Sequence, residues 1–175
     1  MWYEEIADAT ASHLSTHIQQ YLLDVEAKHS DGLGLIQPRT IETANLVGGV
    51  YSAELDSLPA YAVDVMNREV VPSMDDAWLY QYSGHIAMII IAPSEAAANR
   101  ICKRHLHAVE LFVNEHQFMH ELVINDECSI HEFGFAGSAL SGAAPVTVNE
   151  KEAWVAGARV DVVWVTRETG LSQHA

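Results

Sequence analysis

The residues with the clearest chemical potential are histidines and a cysteine in the second half of the chain. His116 and His120 stand at i and i+4, and Cys128 and His131 stand at i and i+3. Two histidines at i and i+4 share one face of a helix, as in zinc proteases. However, Gln117 occupies the position where zinc proteases carry glutamate, and the spacing matches no closed zinc-finger pattern. We therefore expect no metal site, with Cys128 buried as a small apolar residue.

Sequence motifs for nucleophilic or nucleotide chemistry are absent. The chain has no G-x-S-x-G motif, no Walker phosphate loop and no G-x-G-x-x-G after a strand. The glycine-rich stretch 134–142 leads into no predicted helix, so it lacks the context of a phosphate-binding loop. Polar and acidic residues at 75–76 and 125–127 fit turns. We expect no catalytic residue and no cofactor, and a carboxylate pair assembled in space stays an alternative.

Composition and charge exclude several classes of partner. The 175 residues carry 24 Asp and Glu against 9 Lys and Arg, a formal net charge of −15. A nucleic-acid groove needs a basic stripe that releases counterions, and an anionic membrane surface also attracts positive charge. We therefore expect neither tight DNA binding nor membrane binding. No apolar run reaches the ~18 residues of a membrane-spanning helix, and the start of the chain lacks the basic region of a secretion signal.

Hydrophobic periodicity predicts a long helix near the start of the chain. The residues at three- and four-residue spacing form one stripe along a helix; they are Ile6, Thr10, Leu14, Ile18, Tyr21, Leu22 and Val25. The stripe predicts a helix over 3–28, which two closely spaced glycines then end.

The middle of the chain predicts strands and a second helix. A connector over 29–45 precedes a sheet-plus-helix core over 46–167. The strongest strand signal is 78–92, whose second half is apolar on both faces, as in a central strand. Gly84 is a candidate bulge within it. Ser94 is a candidate N-cap for a helix that ends near 114–116.

The last third of the chain predicts two strands separated by a loop. The strands lie at 122–135 and 154–166, the loop of small residues at 136–147, and a loose tail at 168–175. We predict a single α+β domain over 1–175, in which a mainly antiparallel sheet packs against two helices in the order α-β-β-β-α-β-β.

This order of elements resembles the tail terminator proteins of long-tailed bacteriophages, which lie in the neck at the head-proximal end of the tail. The resemblance rests on four segments: Pro59-Ala60-Tyr61-Ala62-Val63, the apolar strand 84–92, the helix 95–113 and the closing strand 153–167. Together they span most of the chain.

The resemblance implies a non-enzymatic virion protein that is assembled in the host cytoplasm. Such a protein forms a ring, expected to be a homohexamer, that caps the tail tube and joins it to the head–tail connector protein. Its partners would be other copies of itself, the tail tube protein and the connector. Double-stranded DNA would pass through the lumen without tight binding, which is consistent with an acidic subunit.

We expect the first helix, with Trp2, and the small-residue loop 136–149 to form contacts with neighbours. The candidate interface residues share small size or an exposed aromatic or apolar side chain; they are Trp2, Gly137, Ser138, Leu140, Ser141 and Pro145. Two other classes stay open. One is another virion assembly protein, a head-completion or tail-tube subunit. The other is a small metal-dependent enzyme built on the histidines or carboxylates.

Overall fold

Two helices cover one face of a six-stranded sheet in the computed structural model, which describes residues 2–35, 37–43, 54–72, 78–117 and 122–168. The elements are α1 (Tyr3–Ala27), β1 (Thr40–Thr43), β2 (Ala60–Val71), β3 (Trp78–Ala92), α2 (Glu95–Glu115), β4 (Leu122–Asn125), β5 (Cys128–Val148) and β6 (Lys151–Glu168). The strand order is β1-β2-β3-β6-β5-β4. Neighbouring strands pair antiparallel except β1 and β2, which are parallel. The predicted α+β class is confirmed.

Helix α1 follows the predicted apolar stripe. The stripe residues face the sheet and α2 and are buried: Ile6, Leu14, Ile18, Leu22 and Val25. Beyond the helix, Gly32 has a φ of 71°, a backbone conformation that glycine adopts without strain. Asp31 forms an ion pair with Arg104 of α2, and the hydrogen bonds from that guanidinium lower the pKa of Asp31 to about 2. This ion pair links the turn after α1 to α2.

The predicted connector 29–45 is wrong at one point, because it contains β1. Thr40 to Thr43 pair in parallel with Ala60 to Val63, and the Arg39 N–H donates to the Pro59 carbonyl at 2.7 Å. These four residues are half-buried or exposed. The strand therefore forms through backbone pairing rather than through an apolar pattern, which is why periodicity does not reveal it.

The predicted central strand is β3, which lies between β2 and β6. The bulge expected at Gly84 lies instead in the partner strand, between Val65 and Asn67. A Cβ on Gly84 would lie 1.9 Å from the carbonyl oxygen of Asp64. Only glycine therefore allows the backbones of β2 and β3 to approach so closely.

Helix α2 begins at the predicted N-cap. The Ser94 side chain accepts a hydrogen bond from the Ala97 N–H at 3.3 Å, and Glu95 lies in the first turn, where the helix dipole favours negative charge. The helix ends at Glu115 with His116 as C-cap, within the predicted range. Its buried face packs on β3, β5 and β6.

The predicted loop 136–147 is wrong, because these residues belong to β5. Strand β5 pairs with β6 as far as Val148 and Lys151, and a two-residue turn with positive φ at Asn149 (49°) and Glu150 (64°) joins them. Neither face of this part of β5 is buried, and two of the three bulges in β5 interrupt it, between Phe135 and Gly137 and between Ser141 and Ala144. Without burial there is no alternation of apolar and polar residues, so the sequence resembles a loop.

The inward face of β6 completes the core. Trp164 is fully buried, and its Nε1–H donates to Thr10 Oγ1 of α1 at 2.9 Å. Trp154 is partly buried against the core. The loose tail predicted over 168–175 is wrong at its first residue, because Glu168 is the last residue of β6 and is buried. Residues 169–175 lie outside the described residues.

Candidate assembly surface

The hairpin of β5 and β6 forms a long sheet edge that pairs with no other strand in the part of the chain that the structure describes. Strand β4 pairs with β5 only from Cys128 to Ile130, and the Phe133 N–H donates to the Gln117 carbonyl. Beyond that point, over residues 134–148, no strand among the described residues pairs with the side of β5 that faces away from β6. We call these residues the β5 edge. At ~3.3 Å per residue it is on the order of 50 Å long.

The side chains of the β5 edge are unusual for an exposed edge. Natural edge strands carry charges, which discourage pairing with other chains, but residues 134–148 contain no charged side chain. Two large apolar side chains, Phe135 (43% exposed) and Leu140 (46% exposed), stand on it. Pro145 and the bulges limit pairing to parts of its length. The edge therefore combines available backbone groups with exposed apolar surface, which is what strand addition by a second chain requires.

The structure brings together five of the six predicted interface residues. Gly137, Ser138, Leu140, Ser141 and Pro145 all lie on the β5 edge. Trp2 lies elsewhere, before α1, where it is half-buried against the core and its backbone contacts Tyr82. The prediction singled out these five residues because they lie in a stretch rich in small residues, whereas the edge itself comes from strand pairing that the sequence pattern does not contain.

A cluster of polar and charged side chains lies next to the β5 edge, on the sheet face away from the helices. Asp161 of β6 lies opposite Gly137. Its Oδ1 is 2.7 Å from His85 Nδ1 and 3.2 Å from Arg159 Nε. A Cβ on Gly137 would lie 3.3 Å from Asp161 Oδ2, so the small residue leaves room for this carboxylate.

A second polar cluster lies at the C-terminal end of β6, near Trp2. The buried Glu168 accepts hydrogen bonds from Arg68 Nη2 at 2.7 Å and from the Tyr82 hydroxyl at 2.8 Å. The Arg68 guanidinium also lies 3.4 Å from the centre of the Tyr80 ring. Burial and the bond to Glu168 raise the pKa of Tyr82. This cluster satisfies a buried carboxylate and has a structural role.

The histidines and cysteine singled out in the sequence do not form one group among the described residues. Cys128 is buried in β5, as predicted, and burial raises its pKa to about 12. His131 is exposed on β5, and His120 lies outside the described residues. His116 instead contacts His13 and His17 of α1. The signal that could have found them is their i, i+4 spacing within the predicted first helix.

The sequence matches no protein-family model, and no curated protein is similar to it. Solved structures that are similar include a chain described as "Virion of native gene transfer agent (GTA) particle", with 16% sequence identity and a TM-score of 0.35 over 90% of this chain and 95% of that one. At these values the likeness carries no argument about function. No helix in the described residues has the length and apolar character needed to cross a membrane.

Proposed function

We propose that this chain is a structural subunit of a phage-like virion, which forms a closed ring at the head-proximal end of the tail. The ring caps the tail tube and joins it to the head–tail connector. The observation that carries this proposal is the β5 edge, a long and uncharged strand edge with exposed Phe135 and Leu140. The resemblance in element order to tail terminator proteins supports the same role.

The ring closes through a head-to-tail interface. The β5 edge of one copy binds a different surface of the next copy, so each copy offers one donor and one acceptor surface. Such a heterologous interface produces a closed ring when its rotation divides the circle, and an open filament when it does not. Six copies are the expected number, from the resemblance. The other copies, the tail tube protein and the connector are the partners.

The function is mechanical and needs no catalytic residue. The negative charge of −15 per copy gives a ring whose field repels the phosphate backbone, so that DNA passes through the lumen without stable binding. The protein belongs to the virion, after assembly in the host cytoplasm.

Replacement of one apolar residue on the β5 edge tests the proposal. In Leu140→Lys, a charge on the edge opposes strand addition while leaving the fold intact, because Leu140 is half-exposed. The matched control is Leu23→Lys, which replaces a leucine that is 54% exposed on α1. Assembly that fails in the first variant and persists in the second supports the proposal. Equal assembly in both variants contradicts it.

The same experiment separates the ring from its nearest alternative. A tail-tube subunit would use the same edge to form open tubes of varying length, which electron microscopy distinguishes from rings of one diameter. Tubes from the unmodified chain would replace the terminator assignment with the tube assignment.

A further inference from the structure

Three histidines from two helices meet at one point outside the assembly surface. His13 and His17 lie one turn apart on α1, and His116 is the C-cap of α2. Their ring centres lie 4.5 to 4.9 Å apart. One ligand nitrogen from each ring lies within 4.8 Å of the other two, and all three residues are half-buried. From the sequence, His116 was a candidate ligand together with His120, Cys128 and His131.

The contact between two of the rings leaves nitrogen atoms facing each other. His13 Nε2 lies 3.0 Å from His116 Nδ1, so a single proton serves both atoms. The Phe112 ring forms an apolar wall beside them, with its centre 5.7 Å from that of His13 and 4.8 Å from that of His116. Neutral imidazole nitrogens that converge in this way are the usual ligands of first-row transition metals.

Hydrogen bonds at Nε2, on the side of the ring away from His13, orient His116. The Tyr21 hydroxyl donates to Glu115 Oε2 at 2.7 Å and lies 3.2 Å from His116 Nε2. Because the Tyr21 proton is committed to Glu115, His116 Nε2–H donates to the Tyr21 oxygen. The lone pair of His116 is then on Nδ1, which points toward His13. Metal-binding histidines characteristically donate their second N–H to such an anchored acceptor, which fixes the ring and its tautomer.

We propose that His13, His17 and His116 bind one divalent transition-metal ion, with Zn²⁺ as the best match, which fastens the end of α2 to α1. With Zn–N distances of ~2.0–2.1 Å in tetrahedral geometry, ligand nitrogens lie about 3.3–3.4 Å apart. The present spacing of 3.0 Å and up to 4.8 Å brackets that value, so small side-chain movements would complete the site. The fourth position is open to water. Imidazole ligands disfavour Mg²⁺ and Ca²⁺, which prefer oxygen.

Zinc titration of the full-length, tag-free chain tests the site. After treatment with a chelator, the protein is titrated with Zn²⁺ alone, and native mass spectrometry and calorimetry record stoichiometry and affinity. We expect one Zn²⁺ per chain and a higher unfolding temperature with zinc, because a ligand that binds only the folded state stabilises it. No bound zinc at micromolar concentration overturns the proposal.

Matched histidine variants assign the ligands. His17→Asn and His116→Asn each should reduce zinc affinity at least 100-fold, whereas His131→Asn, at an exposed histidine on β5, should not change it. Unfolding curves without zinc show that each variant folds, and the two ligand variants act as independent tests. Zinc binding that survives both ligand substitutions, or that is lost in His131→Asn, overturns the assignment.

The hydrogen bonds that link His116 through Tyr21 to Glu115 have their own test. Tyr21→Phe removes the bridge between His116 and Glu115, so Tyr21 is a positioning residue rather than a ligand. We expect zinc affinity to fall about 10- to 100-fold with one site per chain retained. An unchanged zinc affinity contradicts the proposed role of the hydrogen bonds that link Glu115, Tyr21 and His116.

Discussion

At the scale of single residues, His105 is a titratable side chain in the centre of the core, where no water reaches it. The residue is fully buried on α2, and its Nδ1 lies 2.6 Å from the hydroxyl of Tyr61. Its Nε2 has no hydrogen-bond partner among the described residues. Burial lowers the pKa of His105 to about 3 and raises the pKa of Tyr61. The folded protein therefore holds this imidazole neutral.

A buried neutral histidine makes stability depend on pH. The unfolded chain binds the proton below pH ~6.5 and the folded chain does not until about pH 3, so stability falls as pH decreases through that interval. At pH 4.5 the loss is about 2–3 kcal/mol, from ~1.36 kcal/mol per pH unit. Urea unfolding at pH 7 and pH 4.5, in the unmodified chain and in His105→Gln, separates this loss from the contributions of other titrating groups such as His13, whose pKa burial lowers to about 4. His105→Gln cannot titrate and should show a flatter profile; identical profiles would contradict the assignment.

The pair of Arg68 and Glu168 gives a second test at this scale. Arg68→Met leaves the carboxylate of Glu168 buried without its charged partner, which costs about 3 kcal/mol. Chemical denaturation of Arg68→Met, Glu168→Gln and the double variant forms a double-mutant cycle. We expect the double variant to recover part of the loss. Additive effects would show that the 2.7 Å contact contributes nothing to stability.

Residue types alone predicted part of the chemistry and missed the rest. Spacing drew attention to His116, but its partners His13 and His17 lie about a hundred positions earlier. Only the packing of α1 against α2 brings them together. Proximity between distant segments leaves no trace in local spacing, so a single sequence does not contain it. Cys128 was correctly assigned to the core because its type and setting alone favour burial.

At the scale of elements, secondary structure was predicted correctly where burial of one face produces a periodic pattern of apolar residues. The stripe of α1 and the N-cap of α2 were both predicted and confirmed. Prediction failed for β1 and for the second half of β5, which form through backbone pairing with little burial. The β5 edge could therefore not be recognised as an edge, although its residues were singled out as an interface.

The close approach of β2 and β3 makes a prediction for one glycine. Gly84→Ala places a methyl group where the Asp64 carbonyl lies, so the strands must separate. We expect a loss of about 2 kcal/mol or more in the free energy of unfolding. Gly142→Ala is the matched control, because nothing lies within 4 Å of its Cβ position. Equal stability of the two variants would contradict the close packing.

At the scale of the whole molecule, the charge of −15 per copy bears on assembly. Copies in a ring repel one another, and salt screens this repulsion over a Debye length of ~8 Å at 0.15 M. We expect the assembled fraction to increase as ionic strength rises from low to physiological values. Sedimentation velocity at several salt concentrations measures it. A decrease with salt would show instead that attraction between charged patches holds the copies together.

The central claim, a closed ring built through the β5 edge, is tested most directly by native mass spectrometry of the full chain over a range of concentrations. The account predicts one closed species, expected to contain six copies. Leu140→Lys should require at least about tenfold higher concentration to form it, equivalent to ~1.4 kcal/mol, and Leu23→Lys should match the unmodified chain. A chain that stays monomeric at every concentration, or a Leu140→Lys variant that assembles like the unmodified chain, would contradict the account.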